Sequence, residues 1–352
     1  MIRSNVSSVA LVAALASGCG GMTASPLVGD AADPKGSSST SSSSAVEDDT
    51  VEEACAAEAS AICALRDSCT DGFSNQITYG SVALCVSQRT ASCVAGMSSP
   101  DNANGIEAIQ ACAEAYPSEA CSDWWDGNTI AACRSPLGAR SIGVACGVNS
   151  QCASGICGIS INAECGTCQA PPVPGAPCES SSNCGYDLSC PLVAPATSGV
   201  CTIREAKGGA CDGYHLCQGG LACIGSDTAE LIMGTCQTGQ TTVGAACDKE
   251  TGPGCDGELY LFCSSGTCQR EAVVSAGMLC GSFGSLADIQ CESGAMCVKP
   301  GGSPAGTCVA AAANGGACDS VAGPPCLSPA KCVMGDGGTS GTCVFPDPVS
   351  CG

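Results

Sequence analysis

Residues 208–236 read GGACDGYHLCQGGLACIGSDTAELIMGTC, and this stretch decides the fold class. Gly208 stands three residues before Cys211, Cys217 and Cys223 follow, and Gly234-Thr235-Cys236 closes the segment. It holds no Phe and no Trp, so there is little apolar area to bury. A segment this short with four cysteines holds together through two disulfides.

The same frame occurs six times. It opens at Gly143/Cys146, Gly175/Cys178, Gly208/Cys211, Gly244/Cys247, Gly277/Cys280 and Gly315/Cys318. The inner cysteines are Cys152 and Cys157, Cys184 and Cys190, Cys217 and Cys223, Cys255 and Cys263, Cys291 and Cys297, and Cys326 and Cys332. It closes on Gly-x-Cys at Cys168, Cys201, Cys236, Cys268, Cys308 and Cys343, with Thr between in all but one. These are six tandem cysteine-rich modules, 143–168, 175–201, 208–236, 244–268, 277–308 and 315–343, before a tail at 344–352. An opening Gly suits a turn with positive φ, and Gly-Thr-Cys suits a short strand. Each module is expected to be irregular or a β-hairpin. The short linkers are expected to act as restricted hinges, leaving the modules as an extended row. Cys165 and Cys351 fall outside the fourfold count and can restore each other's parity.

Upstream the texture is helical. Residues 54–134 carry Cys55, Cys63, Cys69, Cys85, Cys93, Cys112, Cys121 and Cys133, and the periodicity predicts helices over Glu52–Cys69, Gly80–Ala95 and Gly105–Ala115. Cys55/Cys63 and Cys85/Cys93 share a spacing of about two helical turns, so each pair can bridge outward to other helices. Eight cysteines permit 105 pairings, and spacing does not choose among them. The fold class is therefore small and disulfide-rich, an all-α eight-cysteine domain followed by the six modules.

Before these lies a leader. Arg3, the apolar run Val9–Ala16 and then Ser17-Gly18-Cys19 form a signal peptide over 1–18, too short in its apolar part to span a bilayer. Leu15–Gly21 (LASGCGG) resembles the lipobox of bacterial lipoproteins, which implies lipid attachment at Cys19. Removing Cys19 from 35 cysteines leaves an even number, 35 − 1 = 34. Residues 19–53 are Ser-rich and acidic and read as a lipidated disordered tether. Gly20, where inner-membrane retention uses Asp in enteric bacteria, points to the outer membrane.

Charge and composition exclude some functions. The net charge of −21, with 12 basic residues against 33 acidic, leaves no basic patch for nucleic acid. Thirty-five cysteines require an oxidising compartment, the periplasm or the cell surface. His215 is the only histidine, and no Gly-x-Ser-x-Gly elbow, P-loop or dinucleotide fingerprint occurs, so an enzyme is not expected. Cys165-Gly-Thr-Cys168 has CxxC spacing but shares the Gly-Thr-Cys closure of its neighbours, which makes it structural. Trp124-Trp125 could stack on a sugar, though filling a small core is the simpler role. No metal or cofactor site is expected.

The leader, tether, helical domain and Gly-x-x-Cys…Gly-Thr-Cys frame together resemble cysteine-rich surface lipoproteins of myxobacteria and related bacteria. Their repeats are similar to the Dickkopf N-terminal cysteine-rich domain. Cys146–Cys168, with Cys152, Ser154-Gly155, Cys157 and Cys165-Gly166-Thr167-Cys168, carries the likeness best. The resemblance implies a non-enzymatic binding module. The expected function is a surface-displayed binding or envelope-structural lipoprotein, periplasmic or surface-exposed. Its partners would be the membrane, through lipid on Cys19, and a protein or glycan. A protease inhibitor of small disulfide-bead type is the alternative.

Overall fold

The computed structural model describes residues 50–126, 130–159, 163–171, 173–178, 184, 188–191, 198–212, 215–227, 232–282, 289–334 and 338–351. The leader, Cys19 and nearly all of the tether lie outside the described residues.

Five helices come first: α1 (Val51–Thr70), α2 (Phe73–Thr78), α3 (Val82–Met97), α4 (Ile106–Ala115) and α5 (Cys121–Asp126). Helix α1 starts on a capping box. The Thr50 hydroxyl accepts from the Glu53 N–H at 3.2 Å, and the Glu53 carboxylate accepts from the Thr50 N–H at 2.9 Å. Ser81 caps α3 through its hydroxyl, which fixes the start two residues later than the periodicity predicts. Disulfides Cys55–Cys93 and Cys63–Cys85 staple α1 to α3 in antiparallel register, so each eight-residue spacing spans one shared helix face. Cys69–Cys121 ties α1 to α5, and Cys112–Cys133 ties α4 to the segment after it. Ala54, Ile109, Val51, Val94 and Met97 pack between the staples. The six-residue helices α2 and α5 are too short to show a 3.6-residue period in sequence.

Beyond residue 140 the described secondary structure consists of short strands, turns and short 3₁₀ helices. Every cysteine quartet has the same connectivity, first to third and second to fourth. The pairs are Cys146–Cys157 with Cys152–Cys168, Cys178–Cys190 with Cys184–Cys201, and Cys211–Cys223 with Cys217–Cys236. They continue as Cys247–Cys263 with Cys255–Cys268, Cys280–Cys297 with Cys291–Cys308, and Cys318–Cys332 with Cys326–Cys343. In the first, third and sixth quartets three strands pair so that the closing strand lies between the other two. The buried cores are almost entirely sulfur: around Cys146, Cys152, Cys157 and Cys168 only Ile159 adds a partly buried side chain.

The repeated glycines have two separate causes. In all six quartets the opening glycine donates its N–H to the carbonyl of the last cysteine, as Gly208 does to Cys236 at 2.8 Å and Gly143 to Cys168 at 2.7 Å. That turn requires positive φ, +87° at Gly208, which a residue without Cβ adopts without strain. At Gly166, Gly234, Gly306 and Gly341 the glycine of Gly-x-Cys instead allows close backbone approach: a Cβ at Gly341 would lie 2.1 Å from the Val333 carbonyl oxygen, whereas Gly266 has open space and takes φ of +79°.

The expectation of hinged linkers and an extended row is overturned. Residues of the linkers pair in parallel with the second cysteine of the following quartet, at Arg140↔Cys152, Glu205↔Cys217, Gln240↔Cys255, Val274↔Cys291 and Ala312↔Cys326. A linker whose backbone groups are paired in this way is part of the quartet it precedes. Cys165 bonds to Cys351, which returns the tail to the first quartet. The quartets also hold the helices. Ser293 and Gly294 donate to the Gln76 and Ile77 carbonyls at the end of α2, and the Tyr260 ring lies 4.5 Å from Phe73. Gln151 donates to the Pro100 carbonyl at 2.7 Å, and the Gly219 N–H reaches the Asp126 carboxylate at the end of α5.

Candidate functional site

Where α1, α3 and α4 meet the first and sixth quartets there is a cleft of about 670 Å³. That volume lies in the range of small-ligand sites. Helix α1 contributes Glu58 and α3 contributes Gln88, Arg89 and Ser92. The segment after α4 contributes Arg134 and Ser135, the first quartet Val148 and Asn149, and the sixth Ser328, Pro329 and Lys331.

The three cations of the cleft are placed by disulfides. Arg89 lies four residues from both Cys85 and Cys93, each bonded to α1. Arg134 follows Cys133, bonded to Cys112, and Lys331 precedes Cys332, bonded to Cys318. A backbone cross-linked beside each cation fixes where its side chain starts before a ligand arrives.

Outside the cleft Arg140 pairs with Asp101 at 3.2 Å, Arg204 with Glu258 at 3.0 Å and Arg270 with Asp71 at 2.7 Å, while Arg66 donates to the Ser74 and Thr78 hydroxyls. Among the described residues that line the cleft there are three cations, Arg89, Arg134 and Lys331, and one carboxylate, Glu58. Burial pushes the Glu58 carboxyl above its ordinary range, and Arg89 opposes that rise. The Tyr116 hydroxyl beside them is pushed up to about 12, by burial first and the Glu58 charge second. Burial also draws the Lys331 ammonium down, and this ammonium donates to the Ala163 carbonyl at 3.1 Å.

The residues singled out in sequence have definite places. His215 is half-exposed with Nδ1 2.9 Å from Asp212, which also accepts the His215 N–H at 2.7 Å, so the ring belongs to a loop turn. Cys165 and Cys168 of the CxxC segment bond to different partners, Cys351 and Cys152, so they do not form a dithiol pair. Trp124 and Trp125 sit on α5 with rings 4.4 Å apart, both half-buried, and Trp125 packs against Gly219 of the third quartet. None of these residues lines the cleft.

Sequence reasoning missed Arg89, Arg134 and Lys331, because pairing of distant cysteines is what brings them together. It also missed Asp212, Asp248 and Asp319, each directly after the first cysteine of its quartet. The Asp319 carboxylate accepts from the Val321 and Ala322 N–H groups and from the Thr339 and Ser340 hydroxyls, which hold it far below the usual carboxylate range. The repeated Cys-Asp pair was a signal that could have revealed these turns.

No family model matches the chain, and no curated protein and no solved structure matches it.

Proposed function

We propose that the chain is a lipoprotein of the cell envelope, anchored through Cys19 at the outer membrane, that acts as a non-enzymatic binding protein. On this reading the six quartets are tandem copies of one module similar to the Dickkopf N-terminal cysteine-rich domain. Their shared connectivity and the shared Gly–Cys hydrogen bond support their being copies of one module. The observation that carries the binding role is the cleft, in which three cross-linked parts of the chain each present a cation to one cavity. Seventeen disulfides fit an oxidising compartment, and the leader fits export.

The test has two arms. Mass spectrometry of the mature protein should find an acylated Cys19 at its N-terminus, and an unmodified N-terminus at residue 20 or later would reject the anchor. Affinity capture from envelope extract with the delipidated chain should recover a protein or glycan that a Lys331→Gln variant recovers less well. Equal recovery by both would separate the binding role from the cleft. Stoichiometric inhibition across a protease panel would replace the reading with the inhibitor alternative.

A further inference from the structure

We infer that the loop Cys-Asp-x-x-x-Gly-Pro-x-Cys is a docking element whose partner is the hairpin of the quartet before it, so that the third and fourth quartets, and the fifth and sixth, are coupled pairs. The loop occurs twice, as Cys247–Cys255 (CDKETGPGC) and as Cys318–Cys326 (CDSVAGPPC). Between the cysteines the two copies share only the Asp, the Gly and the Pro. The other four quartets space their first two cysteines differently and carry no Gly-Pro between them.

The shared residues shape the loop from within. The Asp248 carboxylate accepts from the Glu250 and Thr251 N–H groups, as that of Asp319 does from Val321 and Ala322. The Asp248 N–H donates to the Pro253 carbonyl at 2.8 Å, and the Gly252 N–H to the Asp248 carbonyl at 2.8 Å. In the second copy Asp319 donates to Pro324 at 3.0 Å and Gly323 to Asp319 at 3.1 Å. Gly252 and Gly323 take φ of +82° and +68°, which suits a residue without Cβ. A loop ordered by its own hydrogen bonds presents one shape to a partner.

Both copies set that glycine against equivalent side chains of the preceding quartet. A Cβ at Gly252 would lie 2.7 Å from Gln237 Oε1 and 3.5 Å from Ile224 Cγ2. At Gly323 it would lie 3.1 Å from Val309 Cγ1 and 3.3 Å from Val298 Cγ2. Ile224 and Val298 directly follow the third cysteine of their quartets, and Gln237 and Val309 directly follow the fourth. Each pair therefore marks the same place on the two antiparallel strands of a hairpin. Across the first junction the Gly225 N–H also donates to the Lys249 carbonyl at 3.0 Å. Residues 249–251 and 320–322, which differ between the copies, are exposed. The sequence keeps what forms the loop and its contact, and varies what faces solvent.

Amide hydrogen exchange of the full delipidated chain, read by nuclear magnetic resonance, tests the coupling. Ile224→Ala should speed exchange at the Asp248 and Gly252 amides at least about five-fold and leave Asp319 and Gly323 unchanged. Val309→Ala should do the reverse. Coupling is reciprocal, so Gly252→Val should speed exchange at the Gly225 amide. Lys249→Ser with Glu250→Val and Thr251→Ala, which gives the first loop the exposed side chains of the second, should leave Gly225 unchanged. A parental disulfide map shows that a variant's quartets are intact; if Ile224→Ala or Val309→Ala misfolds, the other decides. A folded Ile224→Ala or Val309→Ala chain whose following loop keeps its exchange rates would overturn the inference. Faster exchange in both loops at once, or at Gly225 in the triple variant, would overturn it as well.

Discussion

Cys351 is bonded to Cys165 across 186 residues of chain, and its carbonyl accepts a hydrogen bond from the buried Arg140 guanidinium at 3.2 Å. Arg140 also donates to the Ala145 and Pro100 carbonyls and pairs with Asp101. One side chain therefore joins the tail, the first quartet and the loop after α3. Removing the disulfide by Cys165→Ser with Cys351→Ser should release residues 345–351 and cost about 2–4 kcal/mol, the usual range for a long-loop bridge. Hydrogen exchange should rise in the tail and around Arg140 while the six quartets keep their protection. Unchanged exchange in the tail would show that noncovalent contacts alone hold it.

The two glycine roles predict different penalties. Gly208→Ala places a Cβ where nothing lies within 4 Å, yet forces φ of +87° on a residue that disfavours it. A cost of about 1–3 kcal/mol is expected. Gly341→Ala meets the Val333 carbonyl at 2.1 Å and must push two strands apart, so it should cost at least as much. Gly257→Ala, with ordinary φ and open space, should be near neutral. Melting temperatures of the three variants check this, and equal values would remove the backbone argument for the repeated glycines.

Stability should also depend on pH through the junction where Arg204 meets Asp126 and Glu258. Burial pushes Glu258 up to about 7 despite the opposing charge of Arg204, and Asp126 and Asp256 are raised by burial as well. A raised carboxyl means that the folded chain holds a proton the unfolded chain has released. This contribution is full below the ordinary value of 4.5 and is lost as pH rises through about 7. The melting temperature should therefore be higher near about pH 5 than near about pH 8, and Glu258→Gln should flatten that slope. A slope that Glu258→Gln leaves unchanged would place the titration elsewhere.

Reduction should divide the molecule. Among the buried residues, the quartets hold mostly cysteine, whereas the helices also bury Ala54, Leu65, Phe73, Tyr79 and Ile109. With reductant, proteolysis should cut within 143–343 first, and circular dichroism should retain part of its helical signal. Quartets that resist protease when fully reduced would contradict a sulfur-built core.

The frame Gly-x-x-Cys…Gly-x-Cys made the boundaries of each quartet legible because both glycines answer local backbone demands at fixed distances from a cysteine. The helices α1, α3 and α4 were legible from periodicity, though not the Ser81 cap that sets the start of α3. The bond from Cys165 to Cys351 was legible from cysteine parity, but the pairing of the linkers was not, because their partners are backbone groups that carry no side-chain signature, as at Glu205 and Cys217. The cleft was invisible for a related reason. Arg89 and Lys331 are 242 residues apart, 331 − 89, and in sequence each is an isolated charge.

Disulfide mapping of the unreduced protein tests the closed arrangement most directly. Proteolysis without reductant followed by mass spectrometry should yield a linked pair containing Cys165 and Cys351. It should also yield first-to-third and second-to-fourth links in each quartet, such as Cys211–Cys223 and Cys217–Cys236. A free Cys351, or Cys351 joined to any cysteine other than Cys165, would contradict the return of the tail.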